Sequence, residues 1–274
     1  MLTWSLATIL CAVASVTVAK DSVRVKDFGF DPADSTRFVQ AALDSGARTV
    51  YLDRLSRPWV VTPLEGRSNT ELVFVDGAEL VAKKNAFKAK QDSLLTFRLA
   101  TNVVVRGEGA PGVMRMYIDD YLDKSRYERS EWRHGLRLFS VCGARVENMV
   151  IRETGGDGII VSKAYGTQGA EPSRDVVVCK CVLDGNLRQG VSIITADGFL
   201  MTDSVMSNTR GLNPMAGIDV EQFRATFRMA AQPFVVGFPR WFGPKYQEMF
   251  LWFFMIALQT GFLVLWRKAR GTHR

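Results

Sequence analysis

The sequence predicts an all-β solenoid of stacked parallel coils, a parallel β-helix, and three observations carry that prediction. The first is a column of glycine corners. Gly135, Gly158, Gly190 and Gly217 each open a short stretch with apolar residues at alternate positions: Leu136 and Leu138, Ile159 and Val161, Val191 and Ile193, Ile218 and Val220. Alternation puts such residues on one face of a strand, pointing inward. The second is a ladder ahead of the last three corners, in which Ala144, Val146, Met149 and Ile151 match Val176, Val178, Cys181 and Leu183, and these match Phe199, Met201, Ser204 and Met206. The offsets are 32 and then 23 residues at all four positions, so each repeat adds a strand to more than one sheet. The third is that no amphipathic helices separate the strands, as a doubly wound fold would require.

The elements follow in chain order. Residues 1–19 form an apolar run closing on Thr17-Val18-Ala19 before Lys20, the small-residue pattern of a cleavable signal peptide and hence of an exported protein. Asp34 to Ser45 carries capping residues with Phe38, Val39, Ala42 and Leu43 at helical spacing, and one amphipathic helix there is the N-terminal capping helix that an open solenoid end needs. Early coils show in Leu72 with Phe74 and in Val103 with Val105. The run Gly107-Glu-Gly-Ala-Pro-Gly112 matches a dinucleotide fingerprint in spacing, but its proline and the lack of a following helix make it a coil turn. The solenoid is expected over 20–221. Composition changes abruptly at Gln222, so 222–248 reads as a linker or stalk, with Phe223, Phe227 and Phe234 available to cover an open solenoid end. Met249 to Trp266 is eighteen uncharged residues followed by Arg267-Lys-Ala-Arg270, which predicts a C-terminal transmembrane helix with the basic tail 267–274 cytoplasmic.

Charge excludes one function class. The net +7 arises after residue 221, where eight basic residues face Glu248 alone, while 20–221 holds 27 basic and 27 acidic residues. Nucleic-acid binding has no support from a neutral solenoid. Cys179-Lys180-Cys181 lacks zinc-knuckle spacing and reads as strand residues; with Cys11 in the signal, three cysteines do not make a disulfide framework. HExxH, GxSxG and P-loop motifs are absent.

The segment VKDFGFDPADSTRFVQAALDSGARTVYLD, followed by coils with GGDGI, resembles the pectin-lyase-like right-handed parallel β-helix superfamily over roughly residues 22–221. The resemblance implies a right-handed coil and activity on polysaccharide, as lyase or hydrolase of an acidic glycan, or a non-catalytic surface scaffold binding glycans or proteins. The Asn-Thr-Asp and Gly-His-Gly signatures of polygalacturonases are missing.

Aligned coils bring one set of polar residues together. Arg137, Ile160, Ser192 and Asp219 share one outward position, Glu221 follows Asp219 by two, and His134, Asp157 and Gln189, with Arg188, precede the strands. Asp219 and Glu221 stand about 6.5–7 Å apart along a strand, compatible with an acid–base pair about a glycosidic bond, with shared calcium, or with ordinary solvated acids. For a lyase, Arg188, Arg137 and Arg133 would supply positive charge and His134 a neutral imidazole. Glu131-Trp132-Arg133-His134 also reads as a structural corner. Asp219, Glu221, Asp157, Arg188 and His134 are therefore the catalytic candidates. Trp132, Arg133, Arg137, Gln189 and Tyr121, in its aromatic and acidic insertion, are the substrate-binding ones.

Overall fold

The structure is a computed structural model that describes residues 21–221 together with the short strands Phe227–Met229 and Val235–Val236. The expected signal, transmembrane helix, tail and most of the stalk lie outside the described residues, and no described helix is long and apolar enough to cross a membrane.

Three parallel sheets of eight, seven and six strands wind around one core, each with its strands in strict sequence order. One coil contributes a strand to each sheet in turn. The predicted ladders are the observed registers: Leu136 pairs with Ile159 and Ile159 with Val191, while Ala144 pairs with Val176 and Val176 with Phe199. Val50, Leu72, Val105, Val146, Val178 and Met201 follow one another through five coil-to-coil steps and are all buried. Each such side chain contributes about 1.5–3 kcal/mol by leaving water, so the stack holds the coils together along its whole length. Cys181 packs in this core as expected, at the corner just before the strand Val182–Asp184. The first open end is covered by the helix Thr36–Asp44, which turns Val39, Ala42 and Leu43 inward.

The glycine corners have a different cause from backbone freedom. Gly135, Gly158 and Gly190 are not in the left-handed region. A Cβ on each would instead lie 2.8, 2.7 and 2.5 Å from the carbonyl oxygen of the matching glycine one coil on. The column is glycine because neighbouring coils approach too closely for a side chain.

Two sheets also run past the boundary expected at Glu221. Phe227–Met229 joins the eight-stranded sheet, with Phe227 opposite Phe199 and Met229 opposite Met201, and Val235–Val236 joins the seven-stranded sheet. Composition shifts at Gln222, but the backbone pairing continues to Met229 in one sheet and Val236 in the other. Among the described residues, the six-stranded sheet ends at Ala216–Val220.

Candidate functional site

Insertions decide what sits beside the six-stranded sheet. Between Gly112–Arg115 and Leu136–Phe139 the chain makes a short helix, Ile118–Leu122, and returns through Glu131-Trp132-Arg133. The return lies against the Thr154-Gly155-Gly156 corner of the next coil, where Arg133 bridges Gly155. A Cβ on Gly156 would fall 2.5 Å from the Glu131 carbonyl oxygen, and one on Gly155 2.9 Å from the Arg133 Cβ. The paired glycines ahead of Asp157 make room for that segment.

Arg133 holds the insertion in place. It is fully buried, and donates from Nε to the Phe87 carbonyl at 2.9 Å, from Nη1 to Glu128 at 3.1 Å and from Nη2 to Lys88 at 3.2 Å. Burial pulls its guanidinium pKa down, against the influence of Tyr121 and Asp92. Tyr121 is buried edge-on against Tyr127, with centroids 5.0 Å apart. Both were expected to bind substrate; with donors spent on carbonyls and the ring enclosed, they are supports of the loop instead. Arg137 is a third support, donating from Nη2 to the Gln91 carbonyl at 2.6 Å and the Trp132 carbonyl at 3.1 Å.

Trp132, so held, remains 42% exposed. It borders a cavity of about 380 Å³ lined by Lys90, Arg129, Ser130, Glu131, Trp132, Gly211, Leu212 and Asn213. Ser130 shapes the rim, donating to the Lys90 carbonyl at 2.6 Å and accepting from the Trp132 N–H at 3.0 Å. A volume of this order suits one or two sugar rings.

Beside the cavity, Arg188 gathers acids from three coils. Its Nε lies 3.3 Å from Glu131, its Nη1 3.6 Å from Asp157 and its Nη2 3.4 Å from Glu221. Gln189 connects the fourth acid, donating from Nε2 to Asp219 Oδ2. Because Glu131 and Glu221 contact different nitrogens of one guanidinium, their nearest oxygens are at most about 9 Å apart, within the reach of two carboxyl groups that flank a glycosidic bond.

The structure therefore brings Asp157, Arg188, Gln189, Asp219 and Glu221 together, but at different depths. Asp157, His134 and Gln189 are buried, while Glu131 and Glu221 reach solvent. His134 Nδ1 accepts the Asp157 backbone N–H at 3.1 Å, which leaves the imidazole proton on Nε2. Burial pulls its pKa below the ordinary value, outweighing the Asp157 carboxylate beside it, so the ring is neutral and the 3.3 Å approach of Asp157 Oδ2 is not an ion pair. The unfolded chain protonates this histidine near pH 6.5 and the folded chain does so only at lower pH. Stability present above that value should thus fall on acidification, by up to about 1.4 kcal/mol per pH unit. Thermal melts between pH 7.5 and 5 should show that slope, and His134→Gln should flatten it.

Glu131 was not singled out by sequence reasoning, although it adjoins Trp132. Its one signal was its place beside Trp132, ahead of the Gly135 corner. The Gly211–Asn213 wall had only its turn-forming composition to mark it. Calcium finds no cage, since Asp219 and Glu221 bond to Gln189 and Arg188, and no group of three or more potential metal-ligating side chains occurs among the described residues.

No family model and no curated protein matches this chain. Solved structures do. A Parabacteroides merdae protein assigned as a glycosyl hydrolase matches with TM-score 0.54 at 17% identity, covering 75% of this chain and 98% of its own. An iota-carrageenase complexed to iota-carrageenan fragments matches with TM-score 0.55 at 15% identity, covering 70% of this chain and 43% of its own. The pre-mature gene product 12 of bacteriophage phi29 matches with TM-score 0.55 at 14% identity, covering 73% and 26%. The chain thus spans less than half of the last two. At these identities the likeness shows the fold alone, a parallel β-helix.

Proposed function

We propose that this chain is an exported, membrane-anchored β-helix protein that hydrolyses a polysaccharide in the cavity beside Trp132. The observation that carries the reading is that Glu131 and Glu221, from different coils, meet two nitrogens of the one Arg188 guanidinium, next to an exposed tryptophan and a cavity of sugar size. The polysaccharide hydrolases among proteins of like fold support it.

In this reading a sugar ring stacks on Trp132, whose apolar face suits it. Glu131 donates a proton to the glycosidic oxygen, water attacks the anomeric carbon, and Glu221 takes the proton that the water releases. Arg188 orients both carboxyl groups, while Asp157, His134, Gln189 and Asp219 position Arg188 and the strand that bears Glu221. Hydrolysis fits better than elimination. A lyase needs a cation free to stabilise a uronate anion, whereas Arg188 is already met by three carboxylates and Arg133 and Arg137 by carbonyls. The same saturation of Arg188 favours the second reading, a glycan-binding scaffold without catalysis.

The test is a panel of neutral and acidic polysaccharides, scored for new reducing ends and for unsaturated uronate. Reducing ends without unsaturated product are expected. Unsaturated product would replace hydrolysis by elimination, and binding without turnover on every glycan would leave the scaffold. For the topology, the apolar run 249–266 and its basic flank are the support. Protease added to intact cells should digest the solenoid and spare a tag after Arg274; the reverse pattern would defeat the anchor.

A further inference from the structure

On the outer face of the seven-stranded sheet, Arg115 and Arg152 are direct partners on neighbouring parallel strands. Their side chains leave the sheet together, about 4.8 Å apart at the backbone. Like charges set across a strand pair work against the sheet. The eight-stranded sheet neutralises its outward arginines: Arg106 meets Glu71 at 2.6 Å and Glu108 at 3.2 Å, and Arg145 meets Glu147 at 2.8 Å.

Arg115 and Arg152 are treated differently. Neither donates a side-chain hydrogen bond or joins an ion pair among the described residues, and the Nε of each is shielded from solvent without an acceptor. The next residue of the ladder, Asp184, pairs in register with Arg152 but accepts on Oδ1 from Ser207 and Asn208, both at 2.7 Å. A third cation adjoins: the Lys84 ammonium and the Arg115 guanidinium lie 4.7 and 5.4 Å from the centroid of the same Tyr117 ring. The neighbouring outward rank is apolar, Val113, Val150, Val182 and Val205 in succession, and a low-polarity border strengthens a charge contact made beside it.

We propose that Arg115 and Arg152, bordered by Lys84, form a binding site for a sulfate or phosphate group. A tetrahedral oxyanion offers oxygens to two guanidinium edges at once, where a carboxylate is matched to one. The site lies on a different sheet from the Trp132 cavity and does not depend on the hydrolase reading. Its ligand is a free ion or the same group carried on a polymer.

The full-length protein in detergent would be titrated with inorganic sulfate, inorganic phosphate and a heparin tetrasaccharide, with sodium chloride at matched ionic strength. The arginine Nε–Hε resonances, assigned with Arg115→Lys and Arg152→Lys, give the readout. Saturable shifts confined to Arg115 and Arg152 are expected, with affinity lost by about tenfold or more in Arg152→Gln, as for loss of a charge-assisted contact, and by less in Arg152→Lys. Saturation by the inorganic ions identifies a free-ion site, and saturation by the tetrasaccharide alone a polymer-borne group. Equal shifts with chloride, no saturable shift with any of the three, or unchanged affinity in a folded Arg115→Gln, Arg152→Gln double variant would overturn the proposal.

Discussion

Glu131→Gln is expected to lower turnover of a responsive polysaccharide by about 10²-fold or more while leaving the glycan bound, the scale of losing a general acid or base. The amide keeps the shape of the side chain, and the Trp132 N–H keeps its bond to Ser130, so the Trp132 wall should stay in place. Glu221→Gln, at the Nη2 of the same guanidinium, should do the same. Trp132→Ala, by contrast, should weaken binding more than it slows chemistry, because a stacking platform contributes alike before and during bond cleavage. Initial rates and equilibrium binding on the same glycan separate the two patterns. Full activity in a Glu131→Gln, Glu221→Gln double variant would remove this pair from consideration, and full activity in Asp219→Asn, Glu221→Gln would remove the strand that bears them.

Arg133→Leu is expected to cost about 3 kcal/mol or more in stability, because it strips donors from the carbonyls of Phe87, Glu128 and Lys88 in a closed environment and leaves them unsatisfied. For a domain of this size that corresponds to a fall in Tm of roughly 10 °C. The loss should be felt first in the insertion, since Arg133 ties its return to the segment around Phe87. Limited proteolysis should therefore cut between Leu122 and Glu131 in the variant under conditions that spare the parent. A melt within about 1 °C of the parent would show that the carbonyls find other donors and that the arginine is not the anchor.

The coils were legible in the sequence because they are set by alternation and by a repeated offset, and both survive insertions. Leu136, Ile159, Val191 and Ile218 could be laid over one another without knowing what lay between. The offset of 32 rather than 23 residues is the loop 163–172, which carries the exposed Tyr165 between two strands and leaves their register untouched. Depth was not legible. His134, Asp157 and Arg133 are polar residues at outward or corner positions, which a ladder assigns to solvent, whereas Arg133 is closed in against the segment around Phe87 and Asp157 lies beneath His134 and Arg188. The extra strands Phe227–Met229 and Val235–Val236 were hidden because composition changes before the strand pairing ends.

Long loops sit at corners between sheets, 83–94, 116–135 and 163–172 among them, and the registers on either side of each continue unbroken. Corners that absorb such lengths act as sockets. The coils below supply a fixed frame, and the loops are parts that can be exchanged, lengthened or trimmed without re-threading the strands. The chemistry carried at a corner can then change while the frame stays as it is. It follows that grafting the 117–132 segment into an equivalent corner of another parallel β-helix carries Trp132 and Glu131 along, whereas the arginine that Glu131 meets belongs to the frame and has to be supplied by the host.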